Sequence, residues 1–346
     1  MLRRLLAVGL VALLLVSSAA AALVLWRGSG NDMSVAAQAF LATLDAEQTK
    51  TAVLGYDDPS RVKWHFIPLA ERKGLQFKNM TDPQRQAALG LLKSCLSEVG
   101  YKKATTIMSL ESMLRELEKS RVGGPIRDPE RYYWTVFGKP AGDGTWGLSI
   151  EGHHMSLNFV VVDGTLASFT PNMFGANPAT VHEHIGNGPA KGTRVLAGEE
   201  DLAFELLASL DDAQRKTAVI AAEAPKDVRA AGEAQPPQTA PEGIAAKDLK
   251  PEQVKTLRAL IGTYLNNLPA DAAGKHIEAI EAAGIEKVYF AWAGADKPGI
   301  GHYYRVQGPK FLVEFVNVQP DAAGTPANHI HATWRDLEGD FELSAK

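Results

Sequence analysis

Two short runs concentrate the imidazoles of this chain: Gly152-His153-His154 and Asn328-His329-Ile330-His331. Read as a strand, the second run puts Ile330 and Trp334 on one face and His329, His331, Thr333 and Arg335 on the other. Two imidazoles at i and i+2 can reach one cation, and His153 or His154 offers a third donor. Imidazole suits Zn²⁺, Cu²⁺ and Fe²⁺, and a three-ligand site leaves a position open for water or substrate. Hydrolysis is the simplest chemistry for such a site, with Arg335 orienting an anionic group of a small-molecule substrate. Glu151, Glu314 and Asp336 are candidate carboxylate ligands or partners that orient the ligands, and Glu151 joins Arg335 as a candidate catalytic residue. The competing function is a non-catalytic module whose polar face captures a ligand or a metal. Either histidine motif alone is more often a solvated or locally hydrogen-bonded pair; their coexistence on like strand faces favours the metal.

The other histidines carry less. His182 and His184 fall in the loop Gly175–Lys191 and read as a loop pair. His65, His276 and His302 have no constellation around them, so packing or the surface is their default. The single cysteine, Cys95, sits beside Leu92 and Leu96 in a helical pattern and reads as a buried core thiol. No Gly-x-Ser-x-Gly elbow, phosphate-cradling loop, dinucleotide fingerprint or His-Glu-x-x-His helix is present. A Ser156–His154 pair is conceivable on one strand face, but nothing else supports it.

The elements that must position these residues come in two similar sets. Leu41–Val53 recurs as Leu207–Val219, identical at nine of thirteen positions. Asp45 and Asp211 each stand three residues before a Gln, the spacing of a capped helix start. Thr81-Asp-Pro-Gln84 and Lys250-Pro-Glu-Gln253 then open amphipathic helices, the first with Ala88, Leu91, Leu92, Leu96 and Val99 on its apolar face. A further helix, Ser109–Lys119, matches Ala272–Ala283 in position. Tyr132–Val162 aligns without a gap on Val288–Val318, and its alternation and Gly/Pro-rich turns predict a β-meander of about three strands in each set. Helices followed by antiparallel strands make the fold α+β, a tandem duplication with pseudo-two-fold related units over 35–198 and 199–346. Glu223–Lys247, rich in Ala, Pro and Glu, reads as a surface linker within the second unit. The alignment also supplies a control. Where the first unit has Gly152-His153-His154 the second has Gly308-Pro309-Lys310, so the core is shared and one turn has diverged.

Residues 1–27 are of a different character. Arg3 and Arg4 precede the apolar run Leu5–Trp26, and Ser17–Ala22 offers the small residues of a cleavage site. The run is also about long enough to span a bilayer, so signal peptide and uncleaved anchor both stand. In either case the arginines place the body outside the cytoplasm, periplasmic or extracellular, with membrane contact only through this segment. Without it the body carries a net charge of about −7. No basic run is interleaved with aromatics, which argues against nucleic acid as a partner.

Several of these segments together resemble the bacterial family called domain of unknown function 3500. The resemblance rests on Arg127-Asp-Pro-Glu130, Trp146-Gly147, Glu151-Gly-His-His-Met-Ser-Leu-Asn-Phe159, Phe174-Gly-Ala-Asn-Pro178, Glu199-Glu-Asp-Leu202 and Asn328–Asp336. It covers nearly everything after the N-terminal segment. It implies no activity, but it makes both histidine motifs signature segments, and His182 and His184 are not part of them.

Overall fold

Side chains at the residue before the first turn start several of the helices. Asp45 caps α2 (Ala46–Ala52) and Asp211 caps α6 (Asp212–Ala218), each in a reciprocal box with the Gln three residues on. The computed structural model describes residues 28–344, so the expected signal peptide or anchor, 1–27, lies outside the described residues. Helix α1 (Ser29–Leu41) packs against α3 (Asp82–Cys95), and α5 (Ala197–Ser209) against α7 (Pro251–Leu265). Two buried glutamines tie these pairs: Gln84 donates to the Thr43 carbonyl and to Gln48, and Gln253 donates to the Ser209 carbonyl and to Gln214.

The helix expected at Ser109–Lys119 is the second half of a longer one, α4 (Glu98–Leu117). The Ser97 hydroxyl accepts from the Gly100 amide and starts this new helix, so Val99 leaves the buried face of α3 and is 54% exposed. Its counterpart in position is α8 (Ala270–Ala283).

The strands build one sheet. Each half contributes a meander, β3 (Tyr133–Phe137), β4 (Thr145–Gly152) and β5 (Met155–Val162), then β10 (Tyr289–Gly294), β11 (His302–Gln307) and β12 (Phe311–Asn317). Two further strands, β7 (Asn172–Ala176) and β13 (Ile330–Asp336), pair antiparallel at the centre, Trp334 opposite Asn172 and His331 opposite Gly175. With the short β1 (Val53–Leu54) and β8 (Val219–Ala221) at the edges, the order is β1-β3-β4-β5-β7-β13-β12-β11-β10-β8. Off this path, β2 (Leu75–Gln76) pairs β3, β6 (Thr165–Ser168) pairs β5 and β9 (Ile244–Ala245) pairs β10. Only the edge strands β1 and β8 run parallel to their neighbours, so the fold is α+β with a large mixed sheet.

Helices cover one face of this sheet, where Ile330, Ala332, Trp334, Phe315 and Phe159 join the main core. The opposite face is buried as well. Trp64, Phe66, Met173, Val228, Tyr303, Val316 and Phe341 form a second apolar cluster there. Segment 223–247, expected as a surface linker, crosses this face: Arg229 pairs with the buried Glu314, Asp227 with His331, and Glu242 with Arg305. Polar strand residues such as Ser156, Asn158 and Glu314 are therefore covered by chain rather than water.

A candidate metal centre at the end of the sheet

The first histidine motif is a two-residue turn. Gly152 pairs with Met155, leaving His153 and His154 at the tip, and His154 adopts φ 62°. A non-glycine residue there is uncommon and is held by its surroundings. The His154 amide donates to the Phe66 carbonyl, and its carbonyl accepts from the Gly175 amide, both at 2.8 Å. Two glycines make the room. A Cβ on Gly152 would lie 2.2 Å from the Tyr132 ring, and one on Gly175 would lie 2.9 Å from the His154 imidazole. The Tyr132 hydroxyl then donates to the His153 carbonyl at 2.8 Å.

The central pairing of β7 with β13 brings the second motif to this turn. His154 Nε2 lies 2.7 Å from His329 Nε2, which lies 3.2 Å from His331 Nε2. Three ligands at the usual zinc–nitrogen length of about 2.0–2.1 Å in a tetrahedron stand about 3.3 Å apart, so small adjustments would admit an ion. His331 Nδ1 donates to Asp227 at 2.8 Å, which leaves its Nε2 lone pair facing the cluster. On the other side of the turn His153 is bonded to Glu111 of α4, and Arg127, anchored on Glu118 at 2.7 Å, reaches both ring nitrogens of His153. Donor atoms within 4.8 Å of one another thus form two groups of three, His154/His329/His331 and Glu111/His153/His154. The Arg127 cation beside His153 makes the second group the poorer host for a cation.

Electrostatics keeps His154 and His329 in the ligating form. Burial, reinforced by His153 and the other imidazoles, holds His154 well below the ordinary histidine range. Burial and the nearby His331 bring His329 down to about 3. Burial also lowers His153, although Glu111 opposes it. Burial raises the Asp227 carboxyl, but the His331 hydrogen bond, the Val228 amide and the neighbouring imidazoles together outweigh it and leave it below its usual range. At neutral pH His153, His154 and His329 are therefore uncharged, the form in which an imidazole binds a metal.

The structure therefore brings together His153, His154, His329 and His331. It does not bring in the two other candidates. Arg335 is 1% exposed; it pairs with Asp340 at 2.5 Å and donates to the carbonyls of Ala230 and Glu233, so it braces β13 instead of meeting an anionic ligand. Glu151 pairs with Lys73 at 2.9 Å and accepts from Ser156, away from the histidine donors. Glu314 is held by Arg229 and Tyr303, and Asp336 lies at the far end of β13 from His331. His182 and His184 are exposed on their loop, and His302 stacks on Trp292 as a packing residue. Glu111, Asp227 and Arg127 were not singled out as site residues. Glu111 carried a signal, a carboxylate among the apolar positions Ile107, Leu110 and Leu114 of one helix face. Asp227 carried none.

Fold and site together define an α+β protein with a buried, histidine-rich cluster that could hold a metal ion. The chain belongs to the family described as protein of unknown function (DUF3500), whose model matches residues 27–343. No curated protein and no solved structure matches it.

Proposed function

We propose that His154, His329 and His331 bind one divalent metal, zinc, copper or iron, and that the protein is a metal-dependent hydrolase working outside the cytoplasm. The observation that carries this reading is the convergence of three imidazole Nε2 atoms from two chain segments 175 residues apart. A bound metal would supply electrophilic activation and a nucleophile from water at neutral pH. The chain's own residues do the rest. Asp227 fixes the His331 tautomer, Phe66 and Gly175 fix the His154 backbone, and the partly exposed His329 marks the approach from solvent. His153, oriented by Glu111 and Arg127, packs against His154 with ring centroids 3.7 Å apart and planes tilted by 32°, and stiffens the ligand.

The test is turnover against a panel of esters, phosphate esters and peptides by metal-loaded protein. Hydrolysis that is lost on chelation and restored by metal supports the enzyme. Stoichiometric metal without turnover on any substrate class would instead support the second reading, a metal- or ligand-binding module, which the deep burial of His154 favours.

The same reading includes a tandem duplication, with units over 35–198 and 199–346. The repeated capping boxes, the two glutamine pairs and a strand order that runs alike from either edge support it. The metal cluster then sits where the two units meet. Export rests on the character of residues 1–27.

A further inference from the structure

The turn that replaces Gly-His-His in the second half lines a cavity of its own. It lies between α8 and the far end of β12 and β13, with a volume of about 190 Å³. Its floor is aromatic. Trp334 stacks on Phe311 with centroids 4.8 Å apart, and Phe169 stands 5.9 Å from Trp334. Its roof is α8, which presents Ile280 beside the small Ala279 and Ala283, one turn apart. The space opens to solvent beside Ala279, and it is large enough for a ring, since an apolar cavity of about 150 Å³ already admits benzene.

The charged groups, Lys310, Asp336 and Glu338, come from the β12 turn and the end of β13. Lys310 is paired with Glu338 at 2.9 Å, which leaves the Asp336 carboxyl without an ion pair, its Oδ1 accepting from the Glu338 amide at 2.8 Å. Asp336 is half-buried, and burial, with Asp340 and Glu338 adding, pushes it up to about 6. The one other titratable side chain along the lining is His276, which burial and Lys275 hold low, and therefore uncharged at neutral pH. It contributes a ring edge, packed against Phe169 at 4.7 Å.

We propose that this cavity binds a small planar aromatic ring carrying a protonated amine, with the ring over Trp334 and the ammonium on Asp336. Aromatic walls favour a flat ring and attract a cation, and a desolvated carboxylate is stabilised by one. The site is separate from the histidine cluster in place and in chemistry, and it does not rest on the metal reading.

The probe is 2-phenylethylamine, titrated into the full chain by calorimetry and by NMR of the ligand, with phenylacetate as the charge-reversed control. Saturable binding of one equivalent of the amine is expected, with phenylacetate at least about tenfold weaker. Asp336→Asn should weaken the amine about tenfold, the worth of one charged hydrogen bond. Ala279→Phe, at an exposed helix position, should fill the space and abolish binding with the fold intact by circular dichroism. His331→Ala should leave the amine affinity unchanged. The proposal is overturned by non-saturable binding, by equal affinity for phenylacetate, or by undiminished binding to folded Ala279→Phe.

Discussion

At the β4–β5 turn, Gly152 packs under the Tyr132 ring, and the two tip residues are histidines held by Phe66, Gly175, Glu111 and Arg127. At the β11–β12 turn, Gly308 packs under the Phe311 ring, and the tip is Pro309-Lys310, with Lys310 paired to Glu338 on the surface. The hairpin scaffold is the same in outline: a glycine that lets an aromatic ring approach, then two residues, then a buried apolar one. What differs is the company. The first tip meets the start of β13 with His329 and His331; the second meets α8 alanines and the end of β13 with Asp336. The comparison teaches that a turn acquires chemistry from what the sheet brings to it, more than from its own two residues.

The largest expected effect removes that company. His329→Ala with His331→Ala should abolish metal binding, read as stoichiometry by elemental analysis, while His182→Ala should leave it intact. Grafting histidines onto the other tip, Pro309→His with Lys310→His, should not raise the metal stoichiometry, because the imidazole that lines the same cavity, His276, is packed against Phe169 and no pair like His329 and His331 joins it; a second equivalent of metal gained there would break the comparison.

Arg335 shares a strand face with His331 yet has a bracing role, so its removal should act on stability. Arg335→Met leaves Asp340 buried without its partner and should cost about 3–5 kcal/mol in denaturant melts. Metal stoichiometry of the folded variant should stay unchanged.

Glu200 sharpens the contrast from the helix side. Although burial opposes it, the His302 imidazole 3.3 Å away and hydrogen bonds from Asn317 and Arg194 hold its carboxyl down to about 2. A depressed acid stabilises the fold above its unfolded value of about 4.3, and that contribution is lost as pH falls from there towards 2. Acid titration of stability should therefore lose about 3 kcal/mol over this window, and Glu200→Gln should flatten the profile.

Asp227→Asn keeps the fold but loosens His331, and metal affinity should fall about 10–100-fold by competition with a chelator. Least of all, Lys310→Ala breaks an exposed pair and should change the melting free energy by less than about 1 kcal/mol.

Much of this was legible in the sequence. The capping boxes at Asp45 and Asp211, the two meanders and the convergence of both histidine motifs follow from local spacing and from the gapless alignment of the strands. Arg335 misled because alternation gives the face of a side chain but not what lies above it. That layer is supplied by segment 223–247, whose Ala- and Pro-rich composition carries no pairing pattern. Asp227 was hidden for the same reason. Glu111 was visible as a carboxylate on an apolar helix face, but its partner, His153, is 42 residues away and only the fold connects them. The α3–α4 break was missed because Ser97 interrupts an apolar spacing that otherwise continues through Val99.

The central claim is that three imidazoles from the two motifs hold one ion. Elemental analysis of protein purified without a histidine tag, after reconstitution with zinc, copper and iron in turn, tests it most directly. The account predicts about one equivalent of metal per chain, lost in the His329→Ala, His331→Ala variant. No stoichiometric metal with any of the three, or an equivalent retained by that variant, would contradict it.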